Sequence, residues 1–329
     1  GLLIDFGRGP ARAAIADIPG LDAFSLVTSA TPYVPSPSVE ALVTEQVQLI
    51  IDTYGEEGQE IIDDAQAYAD GLNAYWEATG QDREPATVND AIATTAFIGS
   101  IFGAGGGSEP ANSQFFASLT DRYGPEQGAD IWDDFMQTDD PEAPTTLDER
   151  FEYGTFTGGD LTGAVVLEED SIVSFDPFNP TAGAVPVLVS YQVDAVENPV
   201  DRQASNWLTV APDASTNGTT LAVMGPQLGY YYPEIVMQMH LDGPGIKAQG
   251  AAVPGLAGGL LIGRAASCGG RLTSANQDIR DVFVEVLCEP DGSEPSRTTG
   301  HYEFEGECVP FEQFDAGVIG DTPISYPIS

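Results

Sequence analysis

Ser205 stands in the stretch DRQASNWLTVAP, Asp201 to Pro212, where a small residue, a serine, an asparagine and a tryptophan head an apolar run. Two readings fit those residue types. As a loop residue, Ser205 hydrogen-bonds its local backbone and does no chemistry. If the chain breaks in front of it, the serine becomes an N-terminal residue that carries its own base, because an α-amino group with a reference pKa of about 7.7 to 8.0 is substantially neutral at physiological pH. The rest of the chain offers little competition for that role. His240 and His301 are the only histidines, and no Ser-His-Asp spacing joins them. GxSxG, P-loop, HExxH and CxxC motifs are all absent. A hydrolase built from these residues needs a base other than histidine.

The elements that must position such a serine follow from pattern. SVEALVTEQVQLIIDTYG repeats apolar residues at helical spacing from Ser38, behind a serine cap and with Glu40 in the first turn. EEGQEIIDDAQAYADGLNAYWEATG predicts a second helix closed by Gly80. TVNDAIATTAFIGSIFG predicts a third, capped by Asn89 or Asp90 and running into the glycine cluster from Gly103 to Gly107. PANSQFFASLTDRYG and PEQGADIWDDFMQ predict two more, each with proline in its first turn. The first 40 residues, with turn signals at YVPSPS, are ambiguous. Residues 1–150 thus read as a helical region and 151–204, rich in Gly, Asp, Pro and Thr, as a spacer with short β-like runs at AVVLEE and VPVLVSYQV. In residues 205–329 the runs WLTVA, TLAVMG, EIVMQMHL, GLLIG and DVFVEVL are short, β-branched and divided by Gly/Pro turns, which predicts a β-rich region. Helices followed by strands predict an α+β layered architecture rather than alternating βαβ units.

SNW at 205–207, followed by LAVMGPQLGYYYPEIV and then GLLIGRAASCGGRLTSANQDIRDVFVEVL, resembles the start of the catalytic β-chain of the penicillin G acylase family of N-terminal-nucleophile hydrolases. AYADGLNAYW, TAFIGSIFG, DRYGPEQGADIWDDF and PEAPTTL resemble, in order, stretches of that family's α-chain. The similarity runs from about residue 60 to 290 and rests on the order of the blocks rather than on one motif. It implies αββα layers and a precursor cut between Ala204 and Ser205 into α- and β-chains. Ser205 would be the nucleophile, and Gln227, in GPQ, would lie near its amino group. The main-chain N–H of Ser274 would form half of the oxyanion hole. Ile101 and Leu228 would line the acyl pocket, and Glu109, Asp278, Asp281 and the Arg280 carbonyl would hold structural Ca²⁺, a hard cation suited to oxygen donors. No organic cofactor is implied, and the substrates would be N-acyl amides such as penicillins or N-acyl-homoserine lactones.

This chain departs from the family pattern in several places. SNW is one residue shorter than the family's usual spacing, although the Ser-Asn order and the distance to GPQ favour Ser205. Gly263-Arg264-Ala265 replaces a GHN motif, and the family's pocket arginine and aromatic fall in the glycine cluster. The asparagine that completes the family's oxyanion hole would lie beyond residue 329, so the expectation is a partial-length or shortened relative. Loss of one oxyanion donor costs about 10² to 10³ in rate. A non-catalytic remnant that keeps the fold and calcium is therefore the alternative. Plainer roles also stand: a solvated acidic face for Asp278 and Asp281, and core positions for Ile101 and Leu228.

Composition bounds the partners. With 51 acidic residues against 11 basic ones, a net charge of -40 and Lys247 as the sole lysine, the chain lacks the cation clusters that bind nucleic acid. Such self-repulsion is tolerable where salt screens it, which predicts a high-salt environment; the alternative is an acidic protein from ordinary surroundings. No window is long and apolar enough to span a membrane. Cys288 and Cys308 flank a turn-rich stretch and either face each other across a hairpin, as suits an exported protein, or remain unpaired beside Cys268. Asn217-Gly218-Thr219 is either a glycosylation sequon or a turn.

Overall fold

In the computed structural model the described residues are 2–136, 173–174, 178, 185–186, 204–227, 236–256, 259–270, 272 and 277–329. Seven α-helices occupy the first part: α1 (Leu2–Ala16), α2 (Ala23–Ser29), α3 (Pro37–Tyr54), α4 (Glu56–Thr79), α5 (Val88–Gly103), α6 (Glu109–Tyr123) and α7 (Pro125–Met136). Two short strands lie among them, β1 (Tyr33–Pro35) and β2 (Ala104–Gly106). The later strands are β3 (Val173–Ser174), β4 (Val185–Pro186), β5 (Ala204–Val210), β6 (Leu221–Gln227), β7 (Met237–Gly243), β8 (Ile246–Ala252), β9 (Ile262–Ala265) and β10 (Gly269–Gly270). They continue with β11 (Gln277–Arg280), β12 (His301–Phe304), β13 (Glu307–Pro310), β14 (Glu312–Ile319) and β15 (Thr322–Ile328). The chain is α+β, with helices first and sheets after.

Local chemistry sets the helix ends. Ser36 caps α3 by accepting from the N–H groups of Ser38 and Val39, with Pro37 in the first turn. Gly80 closes α4 in the left-handed conformation at φ 64°. The start of α5 differs from the sequence expectation, for neither Asn89 nor Asp90 is the cap. The Asp90 carboxylate instead accepts from the Thr87 N–H at 2.9 Å, while the Thr87 hydroxyl oxygen accepts from the Asp90 N–H at 3.3 Å. The pair is a capping box with the acid three residues in.

Two cores join the helices to the sheets. In the first, Ala13, Ala16, Leu26 and Val39 pack with Tyr33 of β1 and with Ala316, Ile324 and Tyr326 of the sheet ordered β1-β14-β15. Strand β1 pairs with β14 through Tyr33↔Ile319 and Val34↔Val318, and a bulge falls between Asp315 and Gly317. Gly317 is required there: it sits at φ 104°, and a Cβ would meet the Val34 carbonyl oxygen at 2.1 Å. In the second core, Ala11, Val43, Ala93, Phe97 and Ile98 cover Val253, Leu261 and Ile262, beside the four-stranded antiparallel sheet β10-β9-β8-β7.

Charged residues lie between α1, α3 and α5. Arg12, 7% exposed, donates to Asp90 at 2.9 Å and contacts Glu40, while Arg8 reaches the other Asp90 oxygen at 3.4 Å. Burial works against charge on Arg12, but the hydrogen bond to Glu40 and the attraction of Asp90 and Glu40 outweigh it and hold the guanidinium above its ordinary value.

Two tyrosines close the first core. The Tyr326 hydroxyl donates to the Ala16 carbonyl at 2.5 Å, and the Tyr33 hydroxyl donates to that of Ala316. Burial, reinforced by negative Asp17, pushes Tyr326 from 10.0 up to about 12, and burial also raises Tyr33. The folded state therefore holds these protons more tightly than the unfolded chain. Their contribution is complete below pH 10.0 and is lost as pH climbs through about 12. Circular dichroism against pH should show stability falling across that alkaline window, and Tyr326→Phe, which has no proton to lose, should flatten the fall.

Cys288 and Cys308 form a disulfide with Cα atoms 5.9 Å apart, and Cys268 is free and exposed. The bond staples residues 286–288, which reach β12 through Cys288 N–H to His301 O and Glu303 N–H to Val286 O, onto the β12–β13 hairpin. Closing a loop across 20 residues is worth about 3 kcal/mol. Urea unfolding with and without reductant should differ by that amount.

Candidate active site

Ser205 lies in a strand, not a loop. It is the second residue of β5, which pairs antiparallel with β6 in the register Ala204↔Gln227, Ser205↔Pro226, Asn206↔Gly225 and Trp207↔Met224. Trp207, Thr209, Val210 and Val223 favour extended backbone and suit the pairing. The hairpin turns through a 3₁₀ segment, Pro212–Ala214, and the exposed residues 216–219. Two of the sequence-derived residues are thereby brought together, for Gln227 stands opposite the residue before Ser205.

Pro226 was not singled out by the sequence reading, and its chemistry bears on the site. Proline carries no N–H, so β6 offers no donor to the backbone directly opposite Ser205. The signal was present in GPQ, but its meaning depends on register, which sequence alone does not fix.

The hairpin is seated by Met224, which packs against the second core along with Ile101 and Phe102 from the end of α5. Ile101 is half-buried and borders the same core as the Ser205 hairpin. Gly263, Arg264 and Ala265 lie in β9, the strand next to β8, and Gly269 of β10 is 4.0 Å, measured from an added Cβ, from the Met224 methyl. Ser274 and Leu228 lie outside the described residues.

The glycine cluster takes a defined shape. Strand β2 runs parallel to β11, with Gln277↔Ala104, Asp278↔Gly105 and Arg280↔Gly106. Gly107, at φ 75°, admits Arg280 and Val282 to where a Cβ would have 3.3 Å contacts. This pairing carries Glu109, the first residue of α6, to the segment after β11, where its carboxylate accepts from the Val282 N–H at 3.0 Å. Glu109, Asp278, Arg280 and Asp281 are thus on adjoining elements. Arg280 donates to Asp17 at 2.9 Å, and Asp281 is exposed. Among the described residues no group of three or more His, Cys, Asp or Glu side chains is arranged to hold a metal ion; the side chain of Asp278 lies outside that description. The donor chemistry suits a hard cation, since a carboxylate that accepts one N–H retains further lone pairs.

The histidines stand apart from Ser205, His240 in β7 and His301 in β12, on two separate sheets. A cleft of about 720 Å³ opens elsewhere, lined by Asp5, Arg8, Tyr33, Arg83 and Glu84, and neither Ser205, Gln227 nor Ile101 borders it. Its arginines flank Trp76 at 5.8 and 6.0 Å. No helix among the described residues is long and apolar enough to cross a membrane.

The family model described as penicillin amidase matches residues 43–317. No solved structure matches the chain.

Proposed function

The chain belongs to the penicillin amidase family, whose members are amide hydrolases, and from that membership we propose an N-terminal serine acylase that matures by cutting itself before Ser205. The observation that carries the proposal is the β5–β6 register, which sets Ala204 and Ser205 against Gln227 and the donorless Pro226 at the open end of a hairpin.

Self-cleavage follows from ordinary acyl chemistry. The Ser205 hydroxyl attacks the Ala204 carbonyl, the peptide becomes an ester, and water hydrolyses the ester to leave Ser205 with a free α-amino group. In turnover that α-amine takes the hydroxyl proton through water while the oxygen attacks a substrate amide; the substrate C–N bond breaks, the leaving amine departs with that proton, and water then hydrolyses the acyl-enzyme to release the acid. Ser274 N–H is assigned to the oxyanion, Gln227 to positioning the amine, and Ile101 and Leu228 to the acyl group. Substrates are N-acyl amides of the penicillin or acyl-homoserine lactone type. Calcium, where bound, would be held by Glu109, Asp278, Asp281 and the Arg280 carbonyl, and would fix the β2–β11 junction that joins the two chains. The disulfide supports export, and the net charge of -40 supports a high-salt environment.

Restoring an N–H opposite the scissile bond should slow maturation. If the restored N–H of Pro226→Ala faces β5, the added ladder bond is worth about 1 kcal/mol, and fragment appearance over time should slow by roughly fivefold.

The deciding experiment is intact mass and N-terminal sequencing of the purified chain after incubation in high salt with calcium. Two fragments, one beginning Ser-Asn-Trp, are expected. A chain that stays whole overturns the proposal and leaves a non-catalytic, calcium-binding module.

A further inference from the structure

We propose that Asn217 is an N-glycosylation site. Asn217-Gly218-Thr219 is the only Asn-x-Ser/Thr triplet in the sequence with a residue other than proline in the middle, since Asn179-Pro180-Thr181 is blocked by its central Pro. The triplet forms the exposed tip of the β5–β6 hairpin.

The geometry there is specific. The Asn217 amide oxygen accepts three hydrogen bonds, from the Ser215 hydroxyl at 2.9 Å, the Thr219 N–H at 3.1 Å and the Thr219 hydroxyl at 2.8 Å. All three engage the oxygen, and no described group accepts from the nitrogen. The Thr219 hydroxyl thus polarises the amide from the oxygen side while Nδ2 faces solvent. A second, independent feature fits a chain that reaches the compartment where such transfer occurs. The Cys288–Cys308 disulfide belongs to a chain that leaves the reducing cytosol, and the membrane surface it crosses is where lipid-linked sugars are presented.

The transferred group comes from a sugar linked through C1 to a polyprenyl phosphate or diphosphate. Asn217 Nδ2 forms a bond to C1, the C1–O bond to the phosphate breaks, the lipid phosphate leaves with the electron pair, and the amide proton passes to a base of the transferase. No oxidant or reductant is needed. Val210↔Leu221, the last pair before the turn, lies five residues along from Ser205↔Pro226, roughly 17 Å, and the tip lies beyond it, so a glycan there leaves the nucleophile clear. It would instead shade the exposed Leu208, Leu221 and Val223, which are 62%, 45% and 65% exposed.

The test is intact mass and glycopeptide mapping of the chain purified from the cells that naturally make it. A mass excess on the peptide containing Asn217 is expected. Thr219→Ser should keep it and Thr219→Val should remove it. Asn217→Asp should also remove it, and because Asp retains the oxygen that accepts all three turn bonds, this variant should fold as the parent does. A chain at its sequence mass, or an excess that survives Asn217→Asp, overturns the proposal. Neither result depends on whether the chain cuts itself.

Discussion

Under the proposed mechanism Ser205→Ala should leave the chain in one piece and lower hydrolysis of a chromogenic acyl anilide by a factor on the order of 10⁶, the scale of loss when a serine hydrolase gives up its nucleophile. One substitution would carry both effects because the proposed mechanism gives both reactions to one residue. Without the hydroxyl no ester forms at Ala204, and without the cut no free α-amino group exists to act as base. The two losses are read separately, by intact mass and by release of the aniline. The substitution sits in a paired strand, and its melting temperature should match that of the uncut parent. An Ala variant that is still cut at the same bond, or still turns over, would remove Ser205 from the mechanism.

Asp90→Ala should cost about 3–5 kcal/mol in urea unfolding, the scale of breaking a buried ion pair by removing one partner. Asp90, 4% exposed, answers Arg12, Arg8 and the first turn of α5 together. Its removal leaves the Arg12 guanidinium, also buried, short of one of its two carboxylates and removes the capping-box acceptor of the Thr87 N–H at the start of α5. Combining Asp90→Ala with Arg12→Leu should recover part of the loss, because a buried ion with too few partners costs more than an apolar replacement. Arg8, Arg12 and Arg83 are three of only 11 cationic residues, and their spending inside the helical half is why so acidic a chain can pack α1 against α5.

The helices α3 to α7 were legible because each shows an apolar period bounded by a cap, a proline or a glycine. Helix α1 was not, since Pro10 lies within it and Gly7 and Gly9 dilute its pattern; Gly9 lets the helix approach Tyr33, a contact that sequence cannot display. DVFVEVL predicted a strand, yet regular pairing ends at Arg280, and Val282, Phe283, Val284 and Val286 stand exposed. Strand propensity describes fitness for a partner, and only the end of that run finds one, where Leu287 bridges to Tyr302 and the Val286 carbonyl accepts from the Glu303 N–H. The β2–β11 pairing could not be read from glycines that carry no side-chain pattern, and β1–β14 joins residues far apart in the chain. At the site, Ser205 and Gln227 were named from resemblance, whereas Pro226 acquired meaning only once the register was known.

The β1–β14–β15 sheet also sets a timetable. Tyr33 and Val39 are made well before the residues that cover them, Ala316, Ile324 and Tyr326. During synthesis at about 5–20 residues per second, the first helices wait on the order of tens of seconds with an apolar face open to the ribosome exit and to chaperones. Sequence-distant contacts of this kind slow the final closure. Until β14 and β15 arrive, the exposed carboxylates of those helices would repel neighbouring chains.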